Sequence, residues 1–412
     1  MASIERKLSL DDINCRGKRV FVRVDYNVPM DKNGMIVDSN RIKATLPTIR
    51  KVITDGGRVI IGSHLGRPKS SNPSMSLKHL LPKLEELFGC SVQFAPNALA
   101  AHQQVNMLKD GEVLLLENLR FYKGENSKNV DERMEMAAIL SSYTDLFVCD
   151  AFGTAHRNTA SMTGIPRLIG AGIAGYLMER EVNFLSNVMR NPVRPVVAVV
   201  GGSKVSDKIG LLGNLCNFCQ TIVIGGAMAF TFLEAQGRNM GSSKVQRTAK
   251  GKGGDIDLYS VARQLLQKAK KHNVRLLLPV DFACAKEFKN VPPLITDTPD
   301  IPEGYMGLDV GPKTIEIIKD VIAEGRTAIW NGPLGVFEFS HYAKGSHATA
   351  KAISSNINML SIVGGGETAA CAKASKEGIT HISTGGGATL ELLEGKTLPG
   401  LICLTSRKVA KF

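Results

Sequence analysis

Short runs of branched and aromatic side chains alternate with longer amphipathic segments along most of the chain. In the first half RVFVRVDYN leads into a helical pattern over residues 41–55, RVIIGSH into one over 77–88, and EVLLLEN into one over 131–143. DLFVCDAFG follows, and a further helix is predicted over residues 97–108. Runs that are apolar at successive positions belong to strands covered on both faces, and such strands alternating with helices build parallel sheets. The second half repeats the pattern with glycine at each strand end: VVAVV into Gly201 and Gly202, TIVI into Gly225 and Gly226, MLSIV into Gly364, Gly365 and Gly366, HIST into Gly385, Gly386 and Gly387. Between the halves, residues 176–190 read as a mixed-charge helix closed by Asn191, Pro192 and Pro195, a stiff linker. The pattern predicts an α/β chain of two doubly wound parallel-sheet domains, residues 1–174 and 191–389, joined by an interdomain helix over 175–190.

The length of 412 residues suits two such domains, three at most. Apolar content of 43% and charged content of 22% are those of an ordinary globular protein and exclude a disordered or fibrous chain. The longest uncharged stretch, residues 209–233, is interrupted by Asn214, Asn217 and Gln220, so no membrane span is expected. The first residues, MASIERKLSLDD, are charged early and do not form a signal peptide. Eight cysteines at irregular spacing make no disulfide framework, and Cys216 and Cys219, in the helix-like run GLLGNLCNFC, read as buried reduced thiols. Together these point to an intracellular protein.

Fifty-one basic against 38 acidic side chains give a net charge of +13, which asks for an acidic partner: nucleic acid, an anionic membrane, or a small phosphorylated ligand. Much of the excess lies in residues 238–275, with ten basic and two acidic side chains. Within it residues 240–257 read as a basic, glycine-rich surface loop. A more specific signal sits at the strand ends, where open α/β sheets bind ligands. In the first half these positions carry Asp25 and Asn27, His64 and Arg67, Arg120, then His156 and Arg157, while Arg41 opens the helix after the first strand. Each alone reads as a surface or ion-paired residue. Four arginines and two histidines at one sheet edge are costly without an anion, and guanidinium forks suit carboxylate and phosphate. In the second half, glycines at helix starts offer free N–H groups to phosphate. Lys204 and Lys208, four apart after Gly202, are expected on one helix face beside it.

Other motifs fail. Gly395-Lys396-Thr397 has Leu390 where a P-loop needs glycine. Gly170-x-Gly172-x-x-Gly175 follows Pro166 and has no acidic strand-end residue about 20 positions on. No His-Glu-x-x-His or paired Cys/His cluster announces zinc. A nicotinamide-dependent dehydrogenase would carry its glycine turn after the first strand, where RVDYNVP stands. A nucleic-acid-binding protein would show one continuous basic face with stacking aromatics, yet aromatics are 6%.

The motifs RVDYNVP, SHLGRP, LENLRF, DAFGTAHR, GGSKVSDKI, LPVDF, MGLDVGP, WNGPLGVFE and STGGGATLELLEGKTLPG follow one another in an order that closely resembles the phosphoglycerate kinases, almost from end to end. The resemblance implies reversible phosphoryl transfer from 1,3-bisphosphoglycerate to ADP, giving 3-phosphoglycerate and ATP, in a monomer. It implies that Asp25, Asn27, Arg41, His64, Arg67, Arg120 and Arg157 hold the phosphoglycerate. Nucleotide contacts carry over to Gly202, Lys204, Lys208, Gly225, Gly226, Gly307, Leu308, Asn331, Val336, Glu338, Gly365, Gly366, Glu367 and Thr368. Arg41, Lys208, Gly364 and Gly387 carry over as the catalytic set, and Mg²⁺ as the cofactor with Glu367 as its ligand. The family usually has Asp where Glu367 stands; one extra methylene implies water-mediated or weaker coordination, since Mg²⁺ tolerates misplacement poorly. Ser203 and Ser206 stand where small apolar residues are commoner. Residues 390–412 are expected to return to the first domain. A cytoplasmic location is expected, with import into a peroxisome-like organelle as the alternative, because Ala410, Lys411 and Phe412 loosely resemble a Ser-Lys-Leu address.

Overall fold

The computed structural model describes residue 4, residues 7–251 and residues 253–407. It divides into two compact units, Met1–Ser186 with Thr397–Phe412, and Asn187–Lys396. The first unit is built on a six-stranded sheet of β1 (Arg19–Val24), β2 (Arg58–Gly62), β3 (Val92–Ala95), β4 (Val113–Leu116), β5 (Leu146–Asp150) and β6 (Ile173–Ala174), in the order β3-β4-β2-β1-β5-β6. All its pairings are parallel. β1, β2, β4 and β5 are buried along nearly their whole length, as expected of strands covered by helices on both sides.

The second unit holds β7 (Val196–Val200), β8 (Thr221–Ile224), β9 (Thr248–Gly251), β10 (Gly254–Asp257), β11 (Arg275–Leu277), β12 (Phe282–Ala285), β13 (Leu294–Ile295), β14 (Met306–Val310), β15 (Thr327–Asn331), β16 (Leu360–Gly364) and β17 (His381–Ile382). Its main sheet runs β11-β8-β7-β15-β16-β17, again wholly parallel. The chain winds outward from β7 through β8 to β11, then from β15 through β16 to β17. The order therefore reverses between β7 and β15, the kind of crevice at which open α/β sheets take ligands. Beneath lies a core around the fully buried Trp330 of β15, whose indole N–H donates to Gly332 O at 2.9 Å.

Several expectations need correction. The segment 97–108 is helical only over His102–Met107, and the helix expected over 77–88 opens with a 3₁₀ turn, Leu77–Leu80. The run GLLGNLCNFC stops being helical at Leu215; Cys216 and Cys219 lie in the turn beyond as free, buried thiols. Residues 240–257 contain an exposed antiparallel hairpin, β9 with β10, so they are not all loop. A separate antiparallel sheet, β13-β12-β14, was not signalled by periodicity, its strands being too short and glycine-broken. The linker is helical over Tyr176–Arg190, as read, but the units divide inside it, after Ser186. The return to the first unit begins at Thr397, not at 390. The helix Gly387–Leu393 stays with the second unit, where Asn214 Nδ2 donates to Leu393 O at 2.7 Å. The run Gly170–Gly175 passes from helix to edge strand, the reverse of a dinucleotide turn.

Candidate functional site

In the first unit, the ends of β1 and β2 bring together the residues that the spacing singled out. Asp25 follows β1 and accepts from Arg41 Nη1 at 2.6 Å, with His64 Nε2 at 3.8 Å from its other oxygen. Arg41 comes from the first turn of the helix Asn40–Thr54. Asn27 accepts from Gly66 N at 2.7 Å, and Arg120 donates to Gly66 O at 2.6 Å, so the loop after β2 is clamped from both sides. Arg157 is half-buried and contributes to the positive potential at His64. Arg67 is exposed and makes no hydrogen bond or ion pair among the described residues, so it projects from the clamped loop without being fixed by it.

Beneath this layer lies a group that sequence reasoning missed. Arg23, at 1% exposure in the central strand β1, donates from Nε to Ser161 Oγ at 2.7 Å and stands 3.6 Å from Glu125. Ser161 in turn donates to Glu125 at 2.6 Å, and Arg23 Nη2 approaches His64 Nδ1 at 3.5 Å. Burial, then Arg23, Arg120, Arg41 and Arg157, hold the His64 imidazole well below its ordinary pKa, so it is neutral at physiological pH. Burial and the neighbouring Arg23 and Arg157 push Arg120 down to about 10. His156 is also pulled down, by burial first and Arg157 second, and its buried Nδ1 has no partner among the described residues. Among the described residues, Asp25 and Glu125 are the carboxylates that oppose Arg23, Arg41, Arg120 and Arg157 here. Such a site lacks negative charge, and a small polyanion supplies it.

The second unit carries a cavity of about 380 Å³ at the β7/β15 crevice, a size ordinary for a small-molecule site. Of the carried-over nucleotide residues it is lined by Gly202, Gly226, Gly307, Leu308, Val336, Glu338 and Glu367. Its floor is bare backbone. A Cβ on Gly201 would collide with Pro333 O, and Gly226, at φ +65°, would bring one to 2.6 Å from Gly202 N. Phe230, Phe282 and Leu308 give it an apolar wall. Asp309 also lines it, but its carboxylate accepts from Val310 N and Gly345 N, both at 2.8 Å, and burial pushes it up to about 7.

The other carried-over residues support this wall or stand beside it. Gly225 backs onto Leu334, and Thr368 accepts from Gly332 N at 2.7 Å. Asn331, ending β15, donates to the carbonyl of Gly364, which ends β16, at 3.0 Å and accepts from Lys208 Nζ. Gly365, at φ +97°, caps the helix that starts at Gly366, and Gly387 starts the helix after β17. Lys204 and Lys208 do not share one helix face: a 3₁₀ turn, Val205–Asp207, separates them, leaving Lys204 exposed and Lys208 half-buried. Burial lowers Lys208 to about 8, against Asp207, Glu367 and Glu394, which raise it.

No group of three or more His, Cys, Asp or Glu side chains forms a metal cage among the described residues. Mg²⁺ bound with a nucleotide needs no cage, since it keeps several waters and takes one or two carboxylates plus phosphate oxygens. Glu367 fits that requirement: it is exposed on the cavity wall and ion-paired to nothing among the described residues. No helix among those residues is long and apolar enough to cross a membrane.

A family model described as Phosphoglycerate kinase matches residues 10–396. The cytosolic phosphoglycerate kinase of Leishmania major is 50% identical over 98% of this chain and 100% of its own length. The glycosomal one of the same organism is 50% identical over 99% of this chain and 87% of its own length. The solved structure of phosphoglycerate kinase from Coxiella burnetii superposes with a TM-score of 0.84 at 38% identity, covering 96% of this chain and 98% of that one. The cation cluster of one unit and the glycine-floored cavity of the other thus lie within a single family match, and the chain belongs to the phosphoglycerate kinase family.

Proposed function

We infer that the chain catalyses reversible phosphoryl transfer between 1,3-bisphosphoglycerate and ADP, giving 3-phosphoglycerate and ATP, in glycolysis and gluconeogenesis. The observation that carries this reading is the pairing of two unlike sites at strand ends. One is a cation-rich cluster around Asp25 and His64; the other is a cavity floored by glycine backbone. The first suits a compact phosphorylated acid, the second a nucleoside diphosphate.

An acyl phosphate is already activated, so the chemistry needs neither a nucleophilic side chain nor a strong base. Alignment and neutralisation of charge on the transferring group suffice. Asp25, Asn27, His64, Arg67, Arg120 and Arg157 orient the phosphoglycerate, the neutral His64 as a hydrogen-bond partner and not as a cation. Arg41 and Lys208 meet the transferring phosphoryl group, with the N–H groups around Gly364 and Gly387 beside them. Lys208 rests on Asn331 and is released to phosphate when nucleotide binds. Glu367, with the nucleotide phosphates, would hold Mg²⁺, which would supply charge neutralisation there. With donor and acceptor on different units, transfer requires closure about the helix Tyr176–Arg190, which also excludes water. The enzyme acts as a monomer in the cytoplasm. The organelle alternative rests on residues 410–412, which lie outside the described residues.

The test is a coupled assay for ATP formation from 1,3-bisphosphoglycerate and ADP. Robust turnover is expected, and Arg41→Ala and Lys208→Ala each lower kcat by about 10²–10³ with an unchanged melting temperature. Near-native turnover in either variant overturns the assignment of roles.

A further inference from the structure

A short stretch of chain ahead of the exposed hairpin ties together two parts of the second unit's cavity. Ser243 Oγ accepts from Gly307 N of β14 at 2.9 Å. Three residues on, Gln246 makes a reciprocal pair with Ser206 in the loop after β7. Ser206 N donates to Gln246 Oε1 at 3.1 Å, and Gln246 Nε2 donates to Ser206 Oγ at 2.9 Å. The backbone of Gln246 is itself held. Its carbonyl accepts at 2.9 Å from Oγ1 of the fully buried Thr231, in the helix Met228–Glu234. Residues 243–246 therefore form a strap anchored at three points, and the Gln246 amide is the part that reaches the loop.

What that amide holds is the 3₁₀ turn Val205–Asp207, which lies directly before Lys208. The first N–H groups of such a turn have no partner within it, and so short a turn has little rigidity of its own. Lys204, at the N-cap position, makes no side-chain cap bond, and Gln246 supplies one from outside the loop. Lys208 N in turn donates to Val205 O at 3.0 Å, so the turn sets the backbone from which the Lys208 side chain departs. A lysine meets phosphate as a point charge on a flexible stem, and its aim depends on what carries it. We propose that Gln246 is a positioning residue for phosphoryl transfer: through Ser206 it fixes the turn that aims Lys208. This rests on the reading of Lys208 as a residue that meets the transferring group.

The experiment measures kcat and KM for ADP in Gln246→Ala, once with Lys208 present and once in the Lys208→Ala enzyme. The proposal expects kcat to fall by about tenfold in the first and by less than about twofold in the second, since a side chain already removed cannot be misdirected. Gln246→Glu, whose carboxylate accepts from Ser206 N and from the Ser206 hydroxyl, is expected to recover most of kcat. Ser206→Ala keeps one of the two bonds, so its loss is expected to be smaller and to add nothing to that of Gln246→Ala. If Gln246→Ala does not fold, Ser206→Ala carries the same comparison in both enzymes. An equal loss with and without Lys208 means that the strap supports the fold in general, and overturns the proposal. So does a change confined to KM, or a native kcat in Gln246→Ala. Failure of the underlying site reading looks different: Lys208→Ala alone then retains near-native kcat.

Discussion

Two basic residues show how position changes what a charge does. Lys208 is lowered to about 8 by burial, so the free enzyme carries this ammonium below that pH and loses it above. kcat/KM for ADP is therefore expected to fall on the alkaline side with a midpoint near 8. In Lys208→Arg that limb moves beyond the accessible range, and a pH series on both proteins checks it. Arg23 is the opposite case, a cation kept inside by a single carboxylate. Removing it leaves Glu125 buried and unpaired. Arg23→Leu is expected to destabilise the first unit by about 3–5 kcal/mol in urea denaturation, and the double variant with Glu125→Leu to recover part of the loss. A double variant as unstable as the sum of the single ones would mean that the two residues act separately.

At the scale of elements, buried aspartates hold helix starts to sheet ends. Asp150, the last residue of β5, accepts from Leu177 N at 2.9 Å and Met178 N at 3.1 Å, pinning the helix Tyr176–Arg190. Burial pushes its carboxyl up to about 7, against hydrogen bonds from Thr48, Met178 and Leu177. The native state thus keeps a proton that the unfolded chain gives up near pH 4. This contribution to stability is whole below about pH 4 and is lost as pH rises through 7, at no more than about 1.4 kcal/mol per pH unit. Asp150→Asn is expected to flatten that slope in pH-dependent melts. The same elements explain what could be read without a structure. Continuous runs such as VLLL and VVAVV announce doubly covered strands, and glycine pairs mark their ends, so both sheets and most candidate site residues follow from pattern and motif. Arg23 did not, because ligand contacts are expected at strand ends and Arg23 lies inside β1. The β13-β12-β14 sheet, which carries Gly307 and Leu308, escaped because two-residue and glycine-containing strands leave no periodicity.

For the whole molecule, the decisive feature is that the first unit is made of two separate pieces of chain. Leu8 N donates to Thr405 O at 2.8 Å, Thr405 N to Gly172 O at 2.8 Å, and Gly400 N to Ala155 O at 2.8 Å, while Leu401 and Leu404 are buried. Ending the chain after Lys396 is expected to lower the melting temperature of the first unit, since each lost leucine contributes about 1.5–3 kcal/mol, and to spare the second. Calorimetry with and without ADP separates the two transitions, because the nucleotide raises only the one that binds it. This arrangement also orders events on the ribosome. Residues 187–396 are complete, and free to fold, before the first unit's closing segment has been made. The half of the protein that is translated first is thus the half that must wait, its early strands exposed to chaperones for the time needed to synthesise the entire second unit.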